Sequence, residues 1–136
     1  MAGFNETMSL SAIELWDTWR QSTEIRELAE AWITKADGWT DDDQALYLIM
    51  HREPDRGLAI IFGVMQLTDE KDLLSRLAAG PLEDFLGWHG EAYLPVFHTL
   101  ALKHQRLREV LDGVWQGSMP KRVWHQIEIL KQQKFT

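Results

Sequence analysis

Cysteine is absent from this chain of 136 residues. That excludes disulfides, thiolate nucleophiles and Cys-held zinc or iron–sulfur sites, and it fits a reducing cytoplasm. Long apolar runs are also missing. The longest, Leu58 to Met65, falls far short of the roughly 20 residues that cross a bilayer. The first residues carry Glu6, Glu14 and Asp17 with no early Lys or Arg, the wrong pattern for a secretory signal, and Gly3 is misplaced for myristoylation. A soluble cytoplasmic protein is the expectation. Positive charge is scarce: 14 Lys and Arg stand against 21 Asp and Glu, a formal charge of -7. This is the reverse of a nucleic-acid binder and argues against anionic membrane as a partner. Long-range steering would favour a basic partner instead.

What is present is hydrophobic content of 45% and seven Trp, enough for a core without staples in a single domain of this length. The apolar residues recur at helical spacing. Ser9 or Ser11 is placed to cap a first helix with Ala12, Leu15, Trp16 and Trp19 on one side. Ile25, Leu28, Ala29, Trp32, Ile33 and Ala36 follow the i, i+3, i+4, i+7 pattern after Ser22 or Thr23, with Gly38 as the stop. Thr40 and the run Asp41, Asp42, Asp43 read as the next helix start, with Leu46, Ile49 and Met50 facing inward until Pro54. The following stretch, LAIIFGVM, has the composition of a buried strand as much as of a buried helix; Pro54 at its head and its length favour helix.

Leu77 to Gly90, LAAGPLEDFLGWHG, reads as two short helices with their punctuation. Gly80 is expected in a left-handed turn, Pro81 to open the next helix, and Leu82, Phe85, Leu86 and His89 to form its buried face. A further helix from Glu91 to His104 would tolerate Pro95 only in its first turn. Leu107, Val110, Leu111, Val114 and Trp115 make another stripe, closed by Gly117, and Val123, Trp124, Ile127 and Leu130 a last one. The expected fold is all-α: about eight short helices of about ten to fourteen residues packed as antiparallel hairpins. The residues leave open whether these close into a globule or form a short HEAT-like solenoid. Residues 1–22 read as an N-terminal helical extension and 23–136 as the helical domain, the two forming one globular unit.

LAAGPLEDFLGWHGE, GVWQGSMPKRVW (Gly113 to Trp124) and LAEAWI (Leu28 to Ile33), in this order and spacing, resemble a family of small bacterial proteins known only as a domain of unknown function. The resemblance runs from about residue 24 to residue 127. It implies an all-helical single domain, favours helix for Leu58 to Met65, and carries no catalytic residues. Gly80, Pro81, Leu82, Glu83, Gly90, Trp115, Pro120 and Trp124 are the residues that carry it, of the kind that punctuate and pack helices.

Chemistry is thinly marked. His51, His89, His98, His104 and His125 show no metal-binding spacing, so no metal and no cofactor is expected. His89, beside Gly90 and Glu91, is placed to cap the last carbonyls of its own helix. Glu83 and Asp84 are explained by the helix start after Pro81, and Glu24, Glu27 and Glu30 by a solvated face. The five Ser lie in no nucleophile elbow, and neither phosphate-binding glycine motif occurs.

The aromatics are more informative. Trp16, Trp19, Trp32, Trp115 and Trp124 fit inward stripes, whereas Trp39 lies between Gly38 and the Asp run and Trp88 sits off its helix's apolar face. Exposed Trp beside carboxylates has the composition of a protein-binding hot spot, although for Trp39 the simpler reading is a staple of its loop onto the next helix. The expectation is a non-catalytic acidic protein-binding module, most specifically a bacterial immunity protein that binds and neutralises a cognate basic toxin. Its partner-binding residues would be Trp39, Asp41, Asp42, Asp43, Trp88 and Glu91. The alternative is an enzyme or small-ligand protein with a pocket near Trp88, His89 and Glu91.

Overall fold

Ser11 opens the first helix, α1 (Ala12–Gln21), through a reciprocal cap. Its Oγ accepts from the Glu14 amide at 3.2 Å while Glu14 Oε1 accepts from the Ser11 amide at 3.1 Å. Ser22 both ends α1 and starts α2 (Thr23–Thr34), its Oγ accepting from the Ile25 amide. The structure, a computed structural model, describes residues 11–35 and 41–132, and at 41 and 42 the backbone only. Ser9, Ala36, Gly38, Trp39 and Thr40 lie outside the described residues.

α3 (Asp41–Arg52) and α4 (Pro54–Leu67) are separated by Glu53 alone. α4 is the axis of the molecule: Gly57 to Met65 are all buried. α1, α2 and α3 pack along it, and α6 and α7, defined below, touch it as well. A helix surrounded in this way has no polar face to show, which is why its sequence has no helical period to distinguish it from a strand. Two glycines bring its neighbours in. A Cβ on Gly57 would stand 2.6 Å from Met50 Cα, and one on Gly63 3.0 Å from Trp19 Cβ.

The expected break at Gly80 is not there. α5 (Lys71–Leu77) passes through one π-helical turn, Ala78–Leu82, directly into α6 (Glu83–Lys103). Gly80 does not adopt the left-handed conformation; among the described residues only Gly117 has positive φ. The reason lies in Pro81. It has no N–H for the carbonyl four residues back, and the chain absorbs the gap by widening one turn, so that the Glu83 amide reaches the Ala78 carbonyl. Gly90 does not end α6 either, and Pro95 lies well inside the helix rather than in a first turn. Pro95 and Glu91, whose carbonyl loses its usual donor, both face solvent. Gly90 serves a contact instead: a Cβ there would meet Val123 Cγ1 at 2.7 Å.

α7 (Gln105–Leu111) follows after His104, and α8 (Lys121–Lys131) closes the chain with Val123, Ile127 and Leu130 buried. Helix lengths thus run from 7 to 21 residues, wider than the expected range. Helical spacing fails beyond Leu111, where α7 ends: Val114 is fully buried but Trp115, expected in the core, is 72% exposed. The described residues contain no strand. Helices remote in sequence meet, α1 with α4 and α6, and α4 with α7. A linear stack in which each repeat touches only its neighbours makes no such contacts.

Candidate interaction surface

The end of α3 and the start of α4 are fastened to α6 by three polar contacts. Pro54 cannot donate to the Met50 carbonyl, the partner it would have in a continuous helix. His89 of α6 supplies the missing donor, with Nε2 3.0 Å from that oxygen; since a carbonyl only accepts, Nε2 carries the proton. The sequence leads one to expect His89 to cap its own helix, but that helix runs on past Gly90 and the carbonyl that His89 meets is in α3. On either side, the Tyr47 hydroxyl donates to Asp84 Oδ2 at 2.6 Å and the Tyr93 hydroxyl donates to Asp55. Burial, then the hydrogen bond and negative charge of the facing carboxylate, push both phenols well above their usual ionisation range; Asp43 and Glu83 add to the effect at Tyr47.

Phe85 forms the floor of this seam, with its ring 5.2 Å from that of His89 and 5.1 Å from that of Tyr93. Above it stands Trp88, edge-on to Tyr47 at 5.8 Å and to His51 at 4.9 Å. The indole is thus held from two sides yet 43% exposed, and Leu48 of α3 is 51% exposed. Along α6, Asp84 and Glu91 lie four residues before and three after Trp88, the spacings that share one helix surface. Glu91 pairs with Arg122 at 2.7 Å, an open pair whose contribution to stability is about 0–1 kcal/mol.

The sequence-selected residues scatter. Trp88 and Glu91 are exposed. Trp39 is outside the described residues, and the side chains of Asp41 and Asp42 are not described. Asp43 is buried: Oδ1 accepts from Trp32 Nε1 at 2.8 Å and Oδ2 from Arg76 Nη2 at 2.9 Å, tying α2, α3 and α5 together. Its carboxylate belongs to the interior and does not continue the acidic rim. Glu83 and Asp84, read as a first-turn pair, act across elements. Glu83 accepts from the Trp115 amide and Asp84 from Tyr47, because the π turn leaves no free helix start for them to satisfy. Sequence reasoning missed the exposed Leu48 and His51 and the half-buried Tyr47; the unbroken apolar run of α3 hides which of its members end up against α6. Two clefts of about 500 and 580 Å³ are lined by other residues than Trp88, His89 and Glu91. Among the described residues no three His, Asp or Glu side chains converge as metal ligands.

Fold and surface together define an all-α protein that holds a partly exposed aromatic ridge on a pair of hydrogen-bonded helices. The chain belongs to DUF6869, a family of unknown function, whose model matches residues 19–135. No curated protein and no solved structure matches it. The matched span includes every residue of the seam between α3, α4 and α6. Within the described residues no helix is long and apolar enough to cross a membrane.

Proposed function

We propose that this protein is a non-catalytic binding module that docks a basic protein partner on the ridge formed by Trp88, Leu48 and His51. The observation that carries this is Trp88 itself. A large ring held by Tyr47 and His51 loses little side-chain freedom on binding, and it stands exposed between two carboxylates on one helix. Rigid Trp with an excluded-water surround is the common form of an interface hot spot. The partner's charge follows from the -7 of the chain and from Asp84 and Glu91 at the rim. The most specific form of this reading is an immunity protein of the bacterial cytoplasm that occludes a basic toxin, for which Trp39, Asp41 and Asp42 stand as candidates from the sequence.

Affinity capture with the purified protein, followed by binding measurements on the retained partner, tests the proposal. Trp88→Ala is expected to weaken binding by about 2 kcal/mol or more, near thirtyfold, and Leu48→Ala to add to it. Glu91→Lys should slow association, most strongly at low ionic strength. For the immunity form, the partner should be encoded beside this gene and its toxicity should be relieved by the wild-type chain but not by Trp88→Ala. A retained partner that binds Trp88→Ala and wild type equally would remove the ridge from consideration.

A further inference from the structure

A cleft of about 580 Å³, lined by none of the ridge residues, lies where α1 meets the end of α4 and the joint between α6 and α7. Its character differs from that of the ridge. Arg20, Lys103 and Arg106 line it against a single carboxylate, Asp17, a local excess of positive charge on a chain of net charge -7. The three cations are not equally committed. Arg106 is spent on the fold: its guanidinium donates to the Met65 and Thr68 carbonyls and pairs with Asp69 and Glu109. Arg20 is poised instead. Its guanidinium lies 4.5 Å over the Trp19 ring and its Nε faces Asp17 at 3.5 Å, so the Nη1 and Nη2 fork has no partner among the described residues. Lys103 likewise makes no hydrogen bond or ion pair among the described residues.

The same cleft has a flat aromatic wall. The His104 imidazole stacks on Trp16 with centroids 4.3 Å apart and planes 15° from parallel, while Trp16 leans on Phe62 behind it. Trp16 is buried, and the cleft is lined by this stacked pair together with Ile13, which is 52% exposed. Burial holds the His104 pKa below its ordinary value, with Lys103 acting in the same direction and Asp17 opposing. Burial and Lys103 thus favour the uncharged ring, which suits a stacking surface.

We propose that this cleft binds a small organic anion, a carboxylate or phosphate carried on a flat apolar body, with the anion between Arg20 and Lys103 and the body against His104 and Ile13. Arg supplies planar two-donor recognition and Lys a point charge, a combination suited to both anions. The site is separate from the ridge around Trp88 and does not depend on the proposed partner.

Amide-resolved NMR titration of the full chain with phenyl phosphate, benzoate and inorganic phosphate tests it. Saturable shifts centred on His104, Trp16 and Ile13 are expected for phenyl phosphate, benzoate or both, in the millimolar range or tighter. Which of the two binds more tightly identifies the anion. Inorganic phosphate, lacking the flat body, should bind about tenfold more weakly. Lys103→Glu and Arg20→Glu are both at exposed positions, so each should keep the dispersed spectrum of the fold and weaken binding about tenfold or more. Equal affinity for inorganic and phenyl phosphate would overturn the stacking wall. Absence of saturation with every probe, or saturation untouched by the two substitutions, would overturn the site.

Discussion

Tyr47 and Tyr93 are the two tyrosines of the chain, and both are hydrogen-bonded to carboxylates in the seam. Each has its folded pKa raised by burial and by its Asp partner. The unfolded chain therefore loses phenolic protons first, and the stability they supply is complete below about pH 10 and declines as pH rises beyond it. Tyrosinate absorbance should accordingly appear together with loss of far-ultraviolet helicity in an alkaline titration. Ionisation of either tyrosine near pH 10 with the helical signal intact would show that its bond to Asp84 or Asp55 does not hold. His89 gives a second residue-scale expectation. His89→Phe leaves the Met50 carbonyl without a donor and should cost about 1–3 kcal/mol in chemical denaturation, and His89→Gln, which retains a donor, less. The sequence places His89 at the end of its own helix, where its neighbours Gly90 and Glu91 suggest a cap, and the continuation to Lys103 removes that role. Its actual role was not legible, because an orphaned carbonyl left by Pro54 becomes His89's partner only through proximity across the fold.

Elements show the same division. The starts of α1 and α2 were readable because Ser11 and Ser22 satisfy amides only three residues away. The continuity from α5 through the π turn to α6 was not, since Gly80 and Pro81 are the residues one would choose to stop a helix and start another. What overrides them is packing. Ala78, Pro81 and Leu82 are all buried, and Phe85 and Leu86 follow on the same core side. Gly90 makes the point quantitatively. In an isolated helix Gly→Ala stabilises by about 1 kcal/mol, but here the new methyl would lie 2.7 Å from Val123 Cγ1. Gly90→Ala should therefore destabilise by about 1–3 kcal/mol, and adding Val123→Ala should return part of the loss, so that the two effects are non-additive in a thermal or denaturant melt. Gly87→Ala, whose Cβ would meet the side-chain oxygen of Ser118, should be much milder because that hydroxyl can rotate away.

Across the whole molecule, α1 is no appendage. Leu15 and Trp16 are buried and α1 packs along α4, although the family match begins only at residue 19. Leu15→Ala should cost about 2–5 kcal/mol in equilibrium unfolding, and a chain beginning at Thr23 should lose the cooperative transition because it uncovers one face of α4. Retained cooperativity in that shortened chain would mark residues 11–22 as dispensable. The distribution of charge is also a property of the whole: an acidic chain carries Trp88 between Asp84 and Glu91 on one side and the cations Arg20 and Lys103 on another. Their separation is invisible in a net charge of -7.

The sequence by itself determined the helical class and most helix starts, together with the apolar positions that build the core. Each of these follows from residues within about two turns of one another, where spacing and caps act directly. Only the tertiary structure decided that Asp43 faces inward to Trp32 and Arg76, that Trp115 faces outward, and that Trp88 stands between Tyr47 and His51. Those outcomes depend on which surfaces meet across tens of residues of chain. Burial and pairing are relations between elements, and an unaligned chain records the elements without recording their neighbours.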